Sequence, residues 1–207
     1  METLPIPAPS AVDDETGRIS FWLRQIKTQE DFYIFCQDNA NYRFEREADG
    51  LIIVMPNTGG KTGSLNSEIN TDVTIWNRQK KNGRVFDSST AFHLPDGSTR
   101  SPDVAWVGSA RWNELSEREQ EQFPPICPDF VIELVSASDS LKMARSKMAD
   151  VWIANGCRLA WLIDPKTETT YIFRANGEIQ IVNGFDKVLS GEDVLTGFEL
   201  ELANYTK

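Results

Sequence analysis

Apolar positions along this chain recur with two different periods, and the alternation between them outlines an α/β protein. In Thr28–Asn39, Gln29-Glu30-Asp31 precede Phe32, Ile34 and Phe35, so acids fill a first turn and a short helix is predicted. Tyr42-Arg-Phe-Glu-Arg46 alternates, Ala48-Asp49-Gly50 can turn, and Leu51–Met55 is a compact apolar run, which predicts a hairpin over Tyr42–Met55. Pro56-Asn-Thr-Gly-Gly60 then breaks the chain. From Ser64 to Lys81 the period becomes helical, with Leu65, Ile69, Val73 and Trp76 on one stripe. Asn82-Gly83 is expected to end that helix, Gly being favoured where the chain turns left-handed.

Two strands are predicted near Val85–Leu94 and Asp103–Val107, parted by the turn Pro95-Asp-Gly97. Arg111–Gln122 is charge-rich and reads as a solvated helix or loop, stopped by Pro124-Pro125. Phe130–Val135 is a short apolar run between a proline and a Ser-rich turn, as expected of a buried strand. Ser140–Asn155 has helical spacing, with Leu141, Ala144, Met148 and Trp152 inward and Gly156 beyond its end. Leu159–Ile163 is a second buried strand, closed by Asp164-Pro165. Tyr171–Arg174 and Ile179–Val182 flank Asn176-Gly177 as a hairpin, and Val194, Leu195, Phe198 and Leu200 are expected to pack on the sheet. This order gives an α/β core preceded by extra β structure, and no repeat of 20–50 residues suggests a solenoid or propeller.

The 207 residues, 40% hydrophobic and 25% charged, suit one globular domain with a sizeable core. Met1–Thr16 is Pro-rich and acidic, lacks the basic and apolar regions of a signal peptide, and reads as a loosely held arm. We therefore divide the chain into an N-terminal arm, residues 1–27, and a domain, residues 28–207. No apolar run approaches the roughly 20 residues that span a bilayer, so no membrane partner is expected. Cys36, Cys127 and Cys157 are scattered and odd in number, which points to reduced thiols and a cytoplasmic protein. With His93 the only histidine, soft ligands are too few for a zinc centre. The net charge of −10 disfavours approach to a polyanion, unless a local basic patch or a bound cation reverses the sign.

Two carboxylates stand where carboxylates are expensive. Asp103 follows Ser101-Pro102 and opens Val104-Ala-Trp-Val107, while Glu133 sits inside Phe130-Val-Ile-Glu-Leu-Val135 on the face of Val131 and Val135. An acid on such a face needs a charged partner, a raised pKa or a metal ion, and an ion pair explains it as well as a metal does. Lys147 lies one turn from Ala144 and Val151 on a helix that follows the Glu133 strand. It could reach the strand ends, or simply lay its stem on the core. Glu68 falls beside Leu65 and Ile69 on the Ser64–Lys81 helix, where an acid is usually solvated.

Taken together these residues resemble the PD-(D/E)XK nuclease signature, and most closely its Uma-two branch of restriction-endonuclease-like proteins. Three stretches carry the likeness: Arg100-Ser-Pro-Asp-Val-Ala-Trp-Val107, Pro128-Asp-Phe-Val-Ile-Glu-Leu-Val-Ser-Ala-Ser-Asp-Ser140, and Asn155-Gly-Cys-Arg-Leu-Ala-Trp-Leu-Ile-Asp-Pro165. It runs from about Asp31 to the C-terminus. The resemblance implies a restriction-endonuclease-like core, a mixed central sheet flanked by helices, and Mg²⁺- or Mn²⁺-dependent hydrolysis of DNA. It further implies Asp103 and Glu133 as metal ligands together with the Leu134 backbone carbonyl, Glu68 as an extra acid, and Lys147 as the catalytic lysine. Mg²⁺ takes oxygen ligands and keeps several waters, so two carboxylates and a carbonyl would suffice. The sequence departs from the superfamily where Glu-x-Lys is expected, reading Glu133-Leu134-Val135. The lysine is then matched on the following helix by Lys147, with Lys142 the runner-up.

Between Asp72 and Asp87 there is no acid, while Arg78, Lys80, Lys81 and Arg84 cluster at a helix end. They complement the helix dipole or contact phosphates; the sequence allows both. Lys142, Arg145 and Lys147 form a second small group. The six tryptophans read as core or interface residues. A nuclease that cuts both strands needs two sites or two binding events, which makes a homodimer the expected assembly. The alternatives are a nuclease fold kept as a catalytically weak nucleic-acid- or protein-binding module, and a purely structural α/β protein.

Overall fold

A computed structural model describes residues 11–12, 19–136 and 140–206. In chain order its first elements are β1 (Ala11–Val12), β2 (Ile19–Phe21), α1 (Gln29–Asp38), β3 (Arg43–Arg46), β4 (Ile52–Met55) and α2 (Gly60–Lys80). Next come β5 (Gly83–Asp87), β6 (Phe92–His93), β7 (Thr99–Arg100), β8 (Val104–Gly108), α3 (Ser109–Trp112), α4 (Glu117–Glu121) and β9 (Phe130–Leu134). The helix α5 (Leu141–Ser146) continues directly as a π-helical stretch, Lys147–Ile153. Strands β10 (Leu159–Asp164), β11 (Thr169–Arg174), β12 (Ile179–Asn183), β13 (Val188–Ser190) and β14 (Glu199–Glu201) follow, then a 3₁₀ turn, Leu202–Tyr205.

The chain forms two compact units. The first comprises Met1–Asn57, Ser89–Ser101 and Ser116–Ile126. Its strands make a six-stranded sheet of order β1-β2-β4-β3-β7-β6, the extra β structure the sequence leads one to expect. Helix α1 starts where predicted because Thr28 and Asp31 cap each other, the Thr28 hydroxyl accepting from the Asp31 N–H and the Asp31 carboxylate accepting from the Thr28 N–H at 2.8 Å. Phe32 and Phe35 of α1 pack with Phe21, Phe44 and Ile52 in an aromatic core. Phe21 belongs to β2, which pairs with β4 through Phe21↔Ile52. Of the predicted arm Met1–Thr16, all but Ala11–Val12 lies outside the described residues. Arg100 is buried in this unit, where burial opposes its charge, yet Glu45 at 3.2 Å and Glu47 together hold its pKa above the usual value.

The second unit comprises Thr58–Ser88, Pro102–Leu115 and Cys127–Lys207. Its six-stranded sheet has the order β12-β11-β10-β9-β8-β5. Only β9 and β10 run parallel; the other neighbours are antiparallel, so the sheet is mixed. A parallel pair needs a crossover, and the α5–π helix supplies it. Strand side chains alternate between faces. Phe130, Ile132 and Leu134 of β9 join Val104, Trp106, Leu159, Trp161 and Ile163 beneath Ile69, Val73 and Trp76 of α2. Val194, Leu195, Phe198 and Leu200 complete that core, as the sequence predicts for the tail. The opposite face, with Val131 and Glu133, lies under the buried Met148 and Trp152 of the π stretch. Burying a tryptophan such as Trp161 removes roughly 200 Å² from water, a gross gain of about 5 kcal/mol.

Two departures from the sequence reading have local causes. Helix α2 begins at Gly60 and not at Ser64, and its left-handed end falls on Lys81, with φ 55°. Gly83 is already in β5, where a Cβ would lie 2.3 Å from the Trp106 ring and 2.5 Å from the Val107 carbonyl oxygen. Gly83 is thus demanded by close approach of strand and indole, not by a turn. The second departure is the π stretch. Its i→i+5 register, seen in the Ala154 N–H to Ala149 carbonyl bond at 3.1 Å, brings residues five apart onto one side of the helix.

Candidate metal centre

The register of the sheet places the two acids. Strands β8 and β9 pair antiparallel through Val104↔Ile132, so Asp103 and Glu133 come one step further along, side by side at the strand ends. Adjacent antiparallel residues lie about 5 Å apart between Cα atoms. The Glu133 side chain leaves on the face covered by the α5–π helix. Beyond the last pair the Asp103 carboxylate turns toward β9, where Oδ2 accepts from the Leu134 N–H at 2.8 Å. Its Oδ1 accepts from Asn66 Nδ2 of α2 at 3.2 Å. A strand residue directs its N–H and its carbonyl to the same side, so the Leu134 carbonyl also faces the Asp103 edge.

Glu133 is held from above. Its Oε1 accepts from the Trp152 indole N–H at 2.9 Å and lies 2.9 Å from Lys147 Nζ. The Lys147 ammonium also sits 5.8 Å from the Trp152 ring centroid. In an ordinary helix Lys147 and Trp152, five residues apart, would diverge; the π register aims both at one carboxylate. The side chains of Lys147 and Glu133 are 27% and 14% exposed, so the pair is half-buried and open to solvent on one side.

The structure therefore brings Asp103, Glu133, Leu134 and Lys147 to one sheet edge. Glu68 is half-buried on α2, and its charge helps to hold the Tyr205 hydroxyl above its usual range. Burial is the larger cause there, followed by the hydrogen bond that Tyr205 donates to Asp72. Asn66, two residues earlier and on the opposite side of the helix, is the α2 side chain that reaches Asp103. Lys142 is exposed on α5, beside Arg145, whose guanidinium stacks 4.8 Å from the Tyr171 ring centroid. Among the described residues no three His, Cys, Asp or Glu side chains gather as a metal cage. The donor set at the edge is two carboxylates and a carbonyl, hard oxygen ligands suited to a cation that keeps part of its water.

Asn66 and Trp152 are the residues that sequence reasoning misses. Asn66, Asn70 and Asn77 share one side of α2, where Asn70 reaches the Phe86 carbonyl at 3.2 Å and Asn77 the Gly83 carbonyl at 3.1 Å. Three amides beside an apolar stripe are the available sign that this side of the helix meets polar groups. Trp152 has the sequence context of a core residue; a buried indole N–H needs an acceptor, and Glu133 is the acid on the face it covers. Two further acids, Asp129 and Asp164, have structural partners. Buried Asp129 accepts from the Gly108 N–H at 2.8 Å and pairs with Arg111 at 2.7 Å. Asp164 closes its turn, accepting from the Lys166 N–H at 3.0 Å and from the Thr167 hydroxyl at 2.8 Å.

A family model described as "Putative restriction endonuclease", Uma2, matches residues 29–203. Among solved structures, one from Anabaena variabilis titled as a putative nuclease belonging to DUF820 superposes with a TM-score of 0.66 at 20% identity. The match covers 79% of this chain and 89% of that one, and at this identity it shows a shared fold. Among curated proteins nothing matches. No helix of the described residues is long and apolar enough to cross a membrane.

Proposed function

The chain belongs to the Uma2 family, and from that premise we propose that it is a metal-dependent endonuclease that hydrolyses DNA phosphodiester bonds at the Asp103–Glu133 edge. The observation that carries the reading is the pair of carboxylates at adjacent strand ends with a lysine ammonium 2.9 Å from one of them. Asp103, Glu133 and the Leu134 carbonyl would hold Mg²⁺ or Mn²⁺. When bound, the cation would supply an activated water and neutralise charge building on the phosphate.

The protein's own groups have separate tasks in this reading. Asn66 and the Leu134 N–H orient Asp103, and the Trp152 indole orients Glu133. Lys147 balances Glu133 before a cation arrives. Beside Glu133, the Lys147 ammonium would stabilise negative charge on the scissile phosphate or the attacking oxygen, in a site partly screened from water. Glu68 enters as an auxiliary acid from α2. The proposed setting is the cytoplasm, supported by the free thiols Cys36, Cys127 and Cys157. A homodimer is the proposed working form, supported by the edge strand β12 with exposed Ile179 and Ile181, an unblunted edge of the kind that pairs with another copy.

The test is incubation of supercoiled plasmid with Mg²⁺ or Mn²⁺ and the wild type, Asp103→Ala, Glu133→Ala or Glu68→Gln. Cleavage by the wild type, abolished in the first two and only weakened in the third, is expected. Cleavage that persists in Asp103→Ala and Glu133→Ala sinks the reading. The second reading, a binding module without catalysis, is favoured by one feature: the strand position that carries lysine in the superfamily is Val135, so the ammonium on Glu133 is borrowed from the helix. Its signature is DNA binding without cleavage under any divalent metal.

A further inference from the structure

The α5–π helix has a second flank that meets the sheet away from Glu133. Lys142, Arg145, Ser146 and Ala149 recur at helical spacing, so they leave one side of the helix. With Leu141 they line an open cleft of about 400 Å³ against Phe173 of β11 and Ile179 of β12. The register of the β11–β12 hairpin builds the opposite wall. Phe173 pairs with Ile179 and Tyr171 with Ile181, and alternation puts all four on the sheet face that carries the helix. Phe173 is buried, while Ile179 and Ile181 are 44% and 51% exposed, so apolar surface runs out from under the helix into water. Lys147 leaves the other flank and meets Glu133. Strands β9 and β12 are three places apart in the sheet, about 14 Å at 4.8 Å per strand, so the cleft is separate from the Asp103–Glu133 edge.

The groups in the cleft are of two kinds. Leu141, Ala149, Phe173 and Ile179 are apolar, whereas Lys142 and Arg145 are exposed cations with no carboxylate partner among the described residues. The acids on the same elements are engaged: Asp150 accepts from the Ser146 hydroxyl, and Glu178 pairs with Arg174 at 3.3 Å. The Arg145 guanidinium lies 4.8 Å from the Tyr171 ring centroid, which occupies one side of that plane and leaves the other to a second flat group. Stems laid on the core would explain where the two cations sit, but Ile179 stays exposed beside them. Small ligands fill clefts of about 300–1,000 Å³, and apolar walls with two convergent cations select a flat apolar body carrying one compact anion. A nucleotide has that form, since bases stack on aromatic and guanidinium planes and phosphate is bound by arginine and lysine alike.

We propose that this cleft binds one nucleotide, its phosphate held by Lys142 and Arg145 and its base laid against Phe173 and Ile179 beside the Arg145–Tyr171 stack. Among the described residues its lining has no amide or carboxylate side chain to read a base edge, so the site is indifferent to which base it holds. The occupant is either a free mononucleotide or one nucleotide of a single DNA strand, which present the same chemistry. On a chain of net charge −10 the two cations are what draws an anion to this face. The site needs neither Asp103 nor Glu133 and stands apart from the nuclease reading.

The experiment is titration calorimetry in EDTA with deoxyadenosine 5′-monophosphate, deoxythymidine 5′-monophosphate, deoxyadenosine, inorganic phosphate and a 5′-phosphorylated single strand of about 8 nucleotides. Lys142→Gln/Arg145→Gln removes the cations, and Ile179→Glu puts an acid on the apolar wall at an exposed position. Lys166→Gln/Lys187→Gln is the charge control, and circular dichroism melts confirm folding. Both monophosphates are expected to bind the wild type saturably, at least tenfold more weakly in each cleft variant and within twofold of wild type in the control. Deoxyadenosine and inorganic phosphate should each bind at least tenfold more weakly than deoxyadenosine monophosphate. A single strand that binds more tightly than the monophosphate, with the same loss in the variants, identifies a strand nucleotide as the occupant; one that binds no more tightly identifies the free mononucleotide. No binding of monophosphate or strand by the wild type, unchanged binding in either folded cleft variant, or inorganic phosphate binding as tightly as the monophosphate overturns the inference. So does a dimer, seen by sedimentation, that Ile179→Glu breaks and saturating monophosphate leaves intact, because a second copy then fills the cleft.

Discussion

Replacing Lys147 by methionine should move metal affinity and catalysis in opposite directions. Methionine keeps an apolar stem against Trp152 and removes only the charge. The ammonium lies 2.9 Å from Glu133 Oε1, with the two side chains 27% and 14% exposed. At an effective dielectric constant of about 20 the gross attraction is about 6 kcal/mol, most of it offset by desolvation. Exposed pairs are worth up to about 1 kcal/mol, and breaking fully buried ones costs about 3–5, so this half-buried pair should contribute about 1–2 kcal/mol. In the proposed site a divalent cation would compete with that lysine for Glu133. In Lys147→Met, Mn²⁺ measured by calorimetry should therefore bind about 5- to 30-fold tighter, and the metal-free protein should lose about 1–2 kcal/mol of stability in urea titration. Plasmid cleavage should fall by about two orders of magnitude, because a positive group is removed from the transition state. Unchanged Mn²⁺ affinity would show that Lys147 and the metal do not compete for Glu133, and the reasoning would fail.

Three other outcomes follow from the geometry. Asp129→Ala removes the partner of Arg111 and the acceptor of the Gly108 N–H; it should lower stability by about 2–4 kcal/mol while leaving Mn²⁺ affinity within twofold of wild type, and a selective loss of metal binding would be inconsistent with a structural role. Gly83→Ala drives a methyl into the Trp106 ring and the Val107 carbonyl, so a destabilisation of about 1–3 kcal/mol should appear as a lower melting temperature, and an unchanged one would refute the close approach. His93 has its pKa lowered, chiefly by burial; the folded state then resists a proton that the unfolded state accepts below about pH 6.5, so its contribution to stability is intact above that pH and is lost as pH falls toward the folded value. Stability of His93→Gln relative to wild type should accordingly rise between pH 7 and pH 5, and a flat difference would contradict it.

How far the site is legible in the sequence differs from one residue to the next. Phe130–Leu134 is readable as a buried strand because an apolar run of that length between breakers has few other uses, and it fixes Glu133 on a covered face. Asp103 is readable from Ser101-Pro102 and the strand after it, but the pairing that sets it beside Glu133 is a register between strands, which single-strand periodicity does not contain. Lys147 is marginal to the buried stripe if helical spacing is uniform. The π stretch changes that spacing, and nothing in Lys147-Met-Ala-Asp-Val-Trp-Ile153 announces it. Trp152 combines core packing with a hydrogen bond to Glu133, and its apolar neighbours conceal the second role. The end of α2 differs from the expectation for a related reason: glycine at 83 suggests a turn, while its purpose is close packing against Trp106, distant in sequence.

The central claim is that Asp103 and Glu133 together hold a divalent cation, and Mn²⁺ titration calorimetry on the wild type, Asp103→Ala and Glu133→Ala tests it most directly, with urea melts confirming that each variant is folded. The account requires saturable Mn²⁺ binding by the wild type that is abolished, or weakened at least tenfold, in both variants. Binding that survives either substitution in a folded protein, or no binding by the wild type, would contradict it.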